Sequence, residues 1–146
     1  MDYMRLALDE ARLAAAEGEI PVGAVMVKDG EVIARAHNRR EYDHDPTAHA
    51  ELLCMREAAR ALGDWRLRGC TLYVTLEPCP MCAGAMVMSQ LSHCVYGAAD
   101  DKQGCCGSVY DLPGDPALAG QTKRQSGVMA EECGDMMRTF FAGRRG

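Results

Sequence analysis

No stretch of this 146-residue sequence carries the roughly 18 consecutive apolar residues that a bilayer-crossing helix needs, so no segment is expected to cross a bilayer as a helix. Positive charge is also scarce: 16 Lys and Arg against 21 Asp and Glu give a net charge of -5 and a pI near 5.3. A protein that coats DNA through many phosphate contacts has the opposite balance, so any nucleic-acid-binding surface here must be local. The opening segment is interrupted by Asp2, Arg5, Asp9, Glu10 and Arg12, which the apolar centre of a secretory signal does not tolerate. A cytoplasmic location is the expectation. Repeats, low-complexity tracts and interdomain linkers are lacking as well, so residues 1–146 are expected to form one domain, for whose core 48% hydrophobic residues suffice.

Eight cysteines in a short exported chain would suggest a disulfide framework, but without an export signal they favour reduced thiols or metal ligation. Cys54, Cys70, Cys94 and Cys133 stand singly in apolar stretches. A free cysteine packs there as a small hydrophobe, and all four are expected in the core, with Met81, Met86 and Met88.

What is present alternates between strands and helices. Leu6, Leu8, Ala11, Leu13 and Ala14 form an apolar stripe at helical spacing that ends by Gly18. Ile20 to Lys28 reads as a strand and Glu31 to Ala36 as its antiparallel partner, joined by Asp29-Gly30, a pair that tolerates positive φ in a tight hairpin turn. Asp45-Pro46-Thr47 is expected to open a second helix, capped by Asp45 or Thr47 and running over Ala48 to Leu62 until Gly63. Thr71 to Leu76 reads as a strand, about Cys79 to Gln90 as a third helix, and His93 to Gly97 as a further strand. The Gly-, Asp- and Pro-rich stretch from Ala98 to Gly120 predicts a long loop with room for one short helical turn. A strand near Thr122 to Val128 and a closing helix from Met129 to Phe141, ending at Gly143, complete the chain. This order predicts an α/β fold: a three-layer α/β/α sandwich around a mixed five-stranded sheet.

The chemistry lies at two helix beginnings. His49-Ala50-Glu51 starts one, and Pro78-Cys79-Pro80-Met81-Cys82 starts another. Zinc favours thiolate and imidazole, and a catalytic zinc keeps three protein ligands with a fourth position open to water, which His49, Cys79 and Cys82 would satisfy. Cys79 and Cys82, three apart, share one face of a helical turn, where the positive helix end favours their thiolates. Zinc there would lower the pKa of its water to roughly 7 and provide hydroxide as nucleophile at neutral pH. Glu51 would take the water's proton and deliver it to a ring nitrogen and the departing amine. Residues two apart on a regular helix point about 200° away from each other, so His49 and Glu51 can share a site only beyond the helix N-terminus. His37, His44 and His93 fit surface, loop or packing roles better than ligation.

On these residues the sequence resembles the bacterial tRNA-specific adenosine deaminases, of the zinc-dependent cytidine/deoxycytidylate deaminase superfamily, which convert adenosine to inosine at the wobble position of an anticodon. The stretches that carry the likeness are Ile20-Pro21-Val22-Gly23-Ala24-Val25, Asp45-Pro46-Thr47-Ala48-His49-Ala50-Glu51, Thr71-Leu72-Tyr73-Val74-Thr75-Leu76-Glu77-Pro78-Cys79 and Met81-Cys82-Ala83-Gly84-Ala85-Met86. Asn38-Arg39, the loop Gly97-Ala98-Ala99-Asp100-Asp101-Lys102 with Gly107-Ser108, and Phe140-Phe141 with Arg144-Arg145 match the tRNA-acting branch. The resemblance implies a cytidine deaminase-like fold, one Zn2+ per subunit, a homodimer and a tRNA anticodon stem-loop as partner. It further implies that Asn38 holds the target nucleotide, that Asp100 lies by the flanking nucleotides, and that Phe140, Phe141, Arg144 and Arg145 bind the loop. Arg138, Arg144 and Arg145, with Lys123, Arg124, Arg39 and Arg40, are candidates for a basic rim. The chain departs from the pattern at Arg40-Glu41-Tyr42 and at Cys105-Cys106.

Three alternatives compete. One is a deaminase of a free base or nucleoside of guanine or cytosine type. Another is a thiol redox protein built on Cys79-x-x-Cys82, and the third is a zinc-stabilised RNA-binding scaffold without turnover.

Overall fold

The computed structural model describes residues 2–118 and 122–144. Its elements are α1 (Tyr3–Ala16), β1 (Gly23–Lys28), β2 (Glu31–His37), α2 (Ala50–Leu62), β3 (Cys70–Leu76), α3 (Pro80–Met88), β4 (His93–Ala98), β5 (Lys123–Gln125) and α4 (Ala130–Arg144). The five strands form one sheet in the order β2-β1-β3-β4-β5. Strand β1 is antiparallel to β2 and β3, whereas β3, β4 and β5 run parallel. The mixed sheet expected from the sequence is therefore present.

Alternation along β1 separates two apolar layers, because successive side chains of a strand point to opposite faces. Val25 packs with Met4, Ala7 and Leu8 of α1, Val95 of β4 and Cys133 of α4. Ala24 and Met26 pack on the other side with Ala50, Cys54 and Ala58 of α2 and Ala83 and Met86 of α3. Helices thus cover both faces. Cys54, Cys70, Cys94 and Cys133 are buried in these layers. Met86 is fully buried, but Met88 is 76% exposed and does not join the core. Two glycines let helices press on the sheet. A Cβ at Gly23 would overlap the Ala7 carbonyl of α1, and one at Gly97 would overlap the Cys133 side chain of α4.

Asp29 and Gly30 have φ of 51° and 77°, the turn that the hairpin requires, and Lys28 pairs with Glu31 across it. Strand β1 begins at Gly23 rather than Ile20: Pro21 offers no N–H, and Val22 N–H turns back to the Ile20 carbonyl at 2.9 Å. Neither Asp45 nor Thr47 caps α2. His49 is the N-cap, and Asp45 Oδ1 instead accepts from Thr47 N–H at 2.8 Å in a turn before it. Among the described residues, the segment after β4 has turns and an isolated bridge between Cys106 and Asp111 and no helical turn. Strand β5 is shorter than expected, and α4 continues through a helical Gly143 to Arg144.

Candidate active site

The backbone at two N-caps brings the candidate ligands together. His49 has φ -78° and ψ 149°, and Cys79 has φ -74° and ψ 175°, both extended, so each side chain leaves the chain just before its helix begins. Strand β3 delivers Cys79, and one helical turn places Cys82 beside it. His49 Nδ1 lies 3.6 Å from Cys79 Sγ and 3.8 Å from Cys82 Sγ. All three ligand atoms fall within 4.8 Å of one another, and no other such group of His, Cys, Asp or Glu occurs among the described residues. A tetrahedral zinc with bonds of about 2.0–2.1 Å to nitrogen and about 2.3 Å to sulfur separates N from S by about 3.6 Å. The two observed N–S separations match that geometry.

The position of His49 outside the helix also resolves the angular conflict with Glu51, which sits in the first turn of α2. Glu51 is 4% exposed. Burial pushes its carboxyl up to about 7, opposed by a backbone hydrogen bond. The Cys79 thiol is pulled down to about 4, first by a hydrogen bond with Cys82 and also by His49. Cys82, the partner in that bond and itself buried, is pushed well up. His49 is raised, first by its hydrogen bond to Cys79.

Above this group opens a cleft of about 700 Å³ at the carboxyl ends of β3 and β4, where ligands of α/β sheets characteristically bind. Ile20, Val22, Leu76, Ala98 and Met137 supply apolar wall, and His49, Glu51 and Cys79 lie in its lining. Asn38, Asp100 and Phe141 also line it. Asn38 is buried, donating to the Ile20 carbonyl at 3.3 Å and accepting from Arg40 N–H at 3.1 Å. Asp100 Oδ1 accepts from the N–H groups of Lys102 and Gln103 at 3.0 and 3.2 Å. Phe140 is not in the lining but packs edge-on against Phe141, with 5.4 Å between ring centroids. Arg144 also stands outside the lining, stacked on Phe140 and bonded to the Gly18 carbonyl. Arg145 lies outside the described residues.

The basic rim differs from the one expected. Arg40 and Arg138 line the cleft, joined by Lys102, which the sequence marked as part of the tRNA-branch loop but not as a rim residue. Lys123 and Arg124 pair with His93 and Cys94 at the amino end of β4, the end opposite the cleft. Arg39 is engaged by Glu17 and Asp43. Of the remaining histidines, His37 bridges Glu10 and Glu17, while His44 and His93 are exposed.

This chain belongs to a zinc-binding deaminase family: a model of the cytidine and deoxycytidylate deaminase zinc-binding region matches residues 1–98. Its close relatives narrow the family to one branch. A tRNA-specific adenosine deaminase of Bacillus subtilis (strain 168) is 53% identical over 139 residues, covering 95% of this chain and 86% of the relative. A structure from a study of A-to-I editing by tRNA:A34 deaminases at the wobble position of transfer RNA superposes with a TM-score of 0.89 at 44% identity, covering 92% of this chain and 97% of that one. A guanine deaminase from Nitrosomonas europaea is more distant, with 25% identity and a TM-score of 0.80, over 96% of this chain and 83% of the other.

Proposed function

We propose that this chain, acting as one domain over residues 1–146, hydrolyses adenosine to inosine at the wobble position of a tRNA anticodon loop. The observation that carries the reading is the His49, Cys79 and Cys82 group, spaced for a three-ligand zinc, with the buried Glu51 carboxyl beside it on the floor of the cleft. Bound zinc, one per subunit, supplies Lewis acidity that makes water a nucleophile near neutral pH.

The chain's own residues do the rest. Glu51, poised at about 7 by burial, takes a proton as water oxygen bonds to C6 of the adenine and passes it to N1. It then carries the second proton to the amino nitrogen. The C–N bond breaks, and ammonia leaves as a neutral molecule, so water and adenosine balance inosine and ammonia. The apolar wall of Ile20, Val22 and Met137 excludes bulk water around the splayed base, and Asn38 fixes its orientation. A cleft of about 700 Å³ suits a flipped nucleotide. Arg40, Lys102 and Arg138 at its margin meet phosphates of the loop in spite of the acidic total charge. Asp100 and Phe141 contact the neighbouring nucleotides, with Phe140 and Arg144 backing that edge, and Arg145 is a further residue for binding the loop.

The reading includes a homodimer. Helix α3 carries no charged residue, and its exposed Met88 and half-buried Gly84 and Ala85 present apolar surface that a second subunit would cover. Its substrate puts the reaction in the cytoplasm, and no described helix is long and apolar enough to cross a membrane.

The test is inosine formation on a transcribed anticodon stem-loop, with and without a zinc chelator, beside free adenosine, guanine and cytosine. Chelator-sensitive inosine on the stem-loop is expected. Turnover of a free base with none on RNA would reject the substrate, and chelator-resistant activity would reject the metal.

A further inference from the structure

The cleft wall formed by Asp100 to Gln103 comes from a segment with almost no regular structure, yet one buried side chain from the end of the neighbouring strand gathers it. Glu77, 2% exposed, stands just beyond β3 and two residues before Cys79. Its Oε1 accepts from Asp100 N–H at 3.0 Å and from the Ser108 hydroxyl at 2.5 Å. Its Oε2 accepts from the N–H groups of Cys106 and Ser108, both at 3.0 Å. Both oxygens are thus saturated by donors that all belong to the loop. The fit is tight: a Cβ at Gly104 would overlap the Asp100 carbonyl and the Glu77 carboxylate. Gly107, at φ 142°, turns the chain so that Ser108 reaches back with both its groups. A second tie runs from Cys105 N–H to the Pro78 carbonyl at 2.9 Å.

Resting on the deaminase reading, we infer that Glu77 is a positioning residue for RNA recognition: its carboxylate holds the 100–108 loop as the substrate-facing wall of the cleft. This also gives Gly107-Ser108 a role, since Ser108 lies outside the cleft lining and acts through Glu77. A carboxylate serves the loop better than an amide, whose NH2 would face either the Asp100 N–H or the N–H groups of Cys106 and Ser108 and leave at least one of them without its acceptor.

Glu77→Gln and Ser108→Ala test this in the zinc-loaded enzyme. Glu77→Gln is expected to keep its zinc and a kcat on stem-loop RNA within about threefold, while KM rises about tenfold or more. Ser108→Ala, which removes only the hydroxyl bond, should raise KM about threefold in the same direction. Amide exchange at Asp100, Cys106 and Ser108 should accelerate about tenfold in Glu77→Gln while β3 and α3 stay protected. An unchanged KM with unchanged exchange would overturn the inference, as would loss of zinc and kcat together at constant KM. If the wild-type enzyme itself left stem-loop RNA unconverted, the functional reading would fail instead, and the exchange measurement would still decide whether Glu77 holds the loop.

Discussion

Replacing Glu51 with Gln separates the two consequences of burying a carboxyl in the floor of this cleft. Burial raises the group from its ordinary 4.5 to about 7, so the folded state favours the protonated form. The sign follows from linkage: a folded pKa above the unfolded one gives stability that is fully present below the unfolded pKa and is lost as pH rises through the folded one. At about 1.4 kcal/mol per pH unit, chelated wild-type protein should lose roughly 2–3 kcal/mol from this group between about pH 5 and pH 8. Glu51→Gln has no charge to bury and should not show that loss. Urea denaturation of both chelated proteins at the two pH values measures it. Catalysis should move the other way, since the variant keeps zinc but lacks the proton carrier, and kcat should fall by about 10²–10⁴ or more. Parallel stability curves for the two proteins would refute the burial argument, and a variant retaining wild-type kcat would refute the proton role.

Other perturbations read other parts of the molecule. Gly23→Ala puts a methyl group against the backbone of Ala7 and Ala11 in α1; overpacking of about 1–3 kcal/mol should lower Tm by about 4–10 °C in a thermal scan, and an unchanged Tm would show that α1 has slack. Zinc titration near pH 7 should release at least about one proton, from the raised Cys82 thiol, measured by calorimetry in buffers of different ionisation enthalpy. No release would contradict thiolate ligation by Cys82. Lys102→Ala should weaken stem-loop binding and reduce the slope of log K against log salt by about 0.7, the contribution of one phosphate contact on a single strand. A slope equal to that of the wild type would remove Lys102 from the RNA-binding surface.

The elements most legible in the sequence were those whose causes are local. Asp29-Gly30 can hardly be anything but a tight turn, and its two positive φ values bear this out. Cys79 and Cys82 announce a shared site because their spacing matches a helical turn, and the structure joins His49 to them. What escaped depended on partners distant in the chain. Asp45 and Thr47 have the chemistry of caps, but they bond to each other in a turn of their own, and the helix opens two residues later at His49. Met88 looks like a core residue by type, yet helix α3 turns it outward. Lys123 and Arg124 carry the charge expected of an RNA rim, but parallel pairing with β4 carries them to the far end of the sheet. Nothing local to Glu77 revealed that its four donors would come from a loop more than twenty residues later.

The central claim is a zinc held by His49, Cys79 and Cys82 with one position left for solvent beside Glu51. X-ray absorption on the zinc-loaded protein tests it most directly. The account predicts two sulfurs at about 2.3 Å, one imidazole nitrogen and one light non-protein ligand at about 2.0–2.1 Å. Four protein ligands, or a sulfur count other than two, would contradict it.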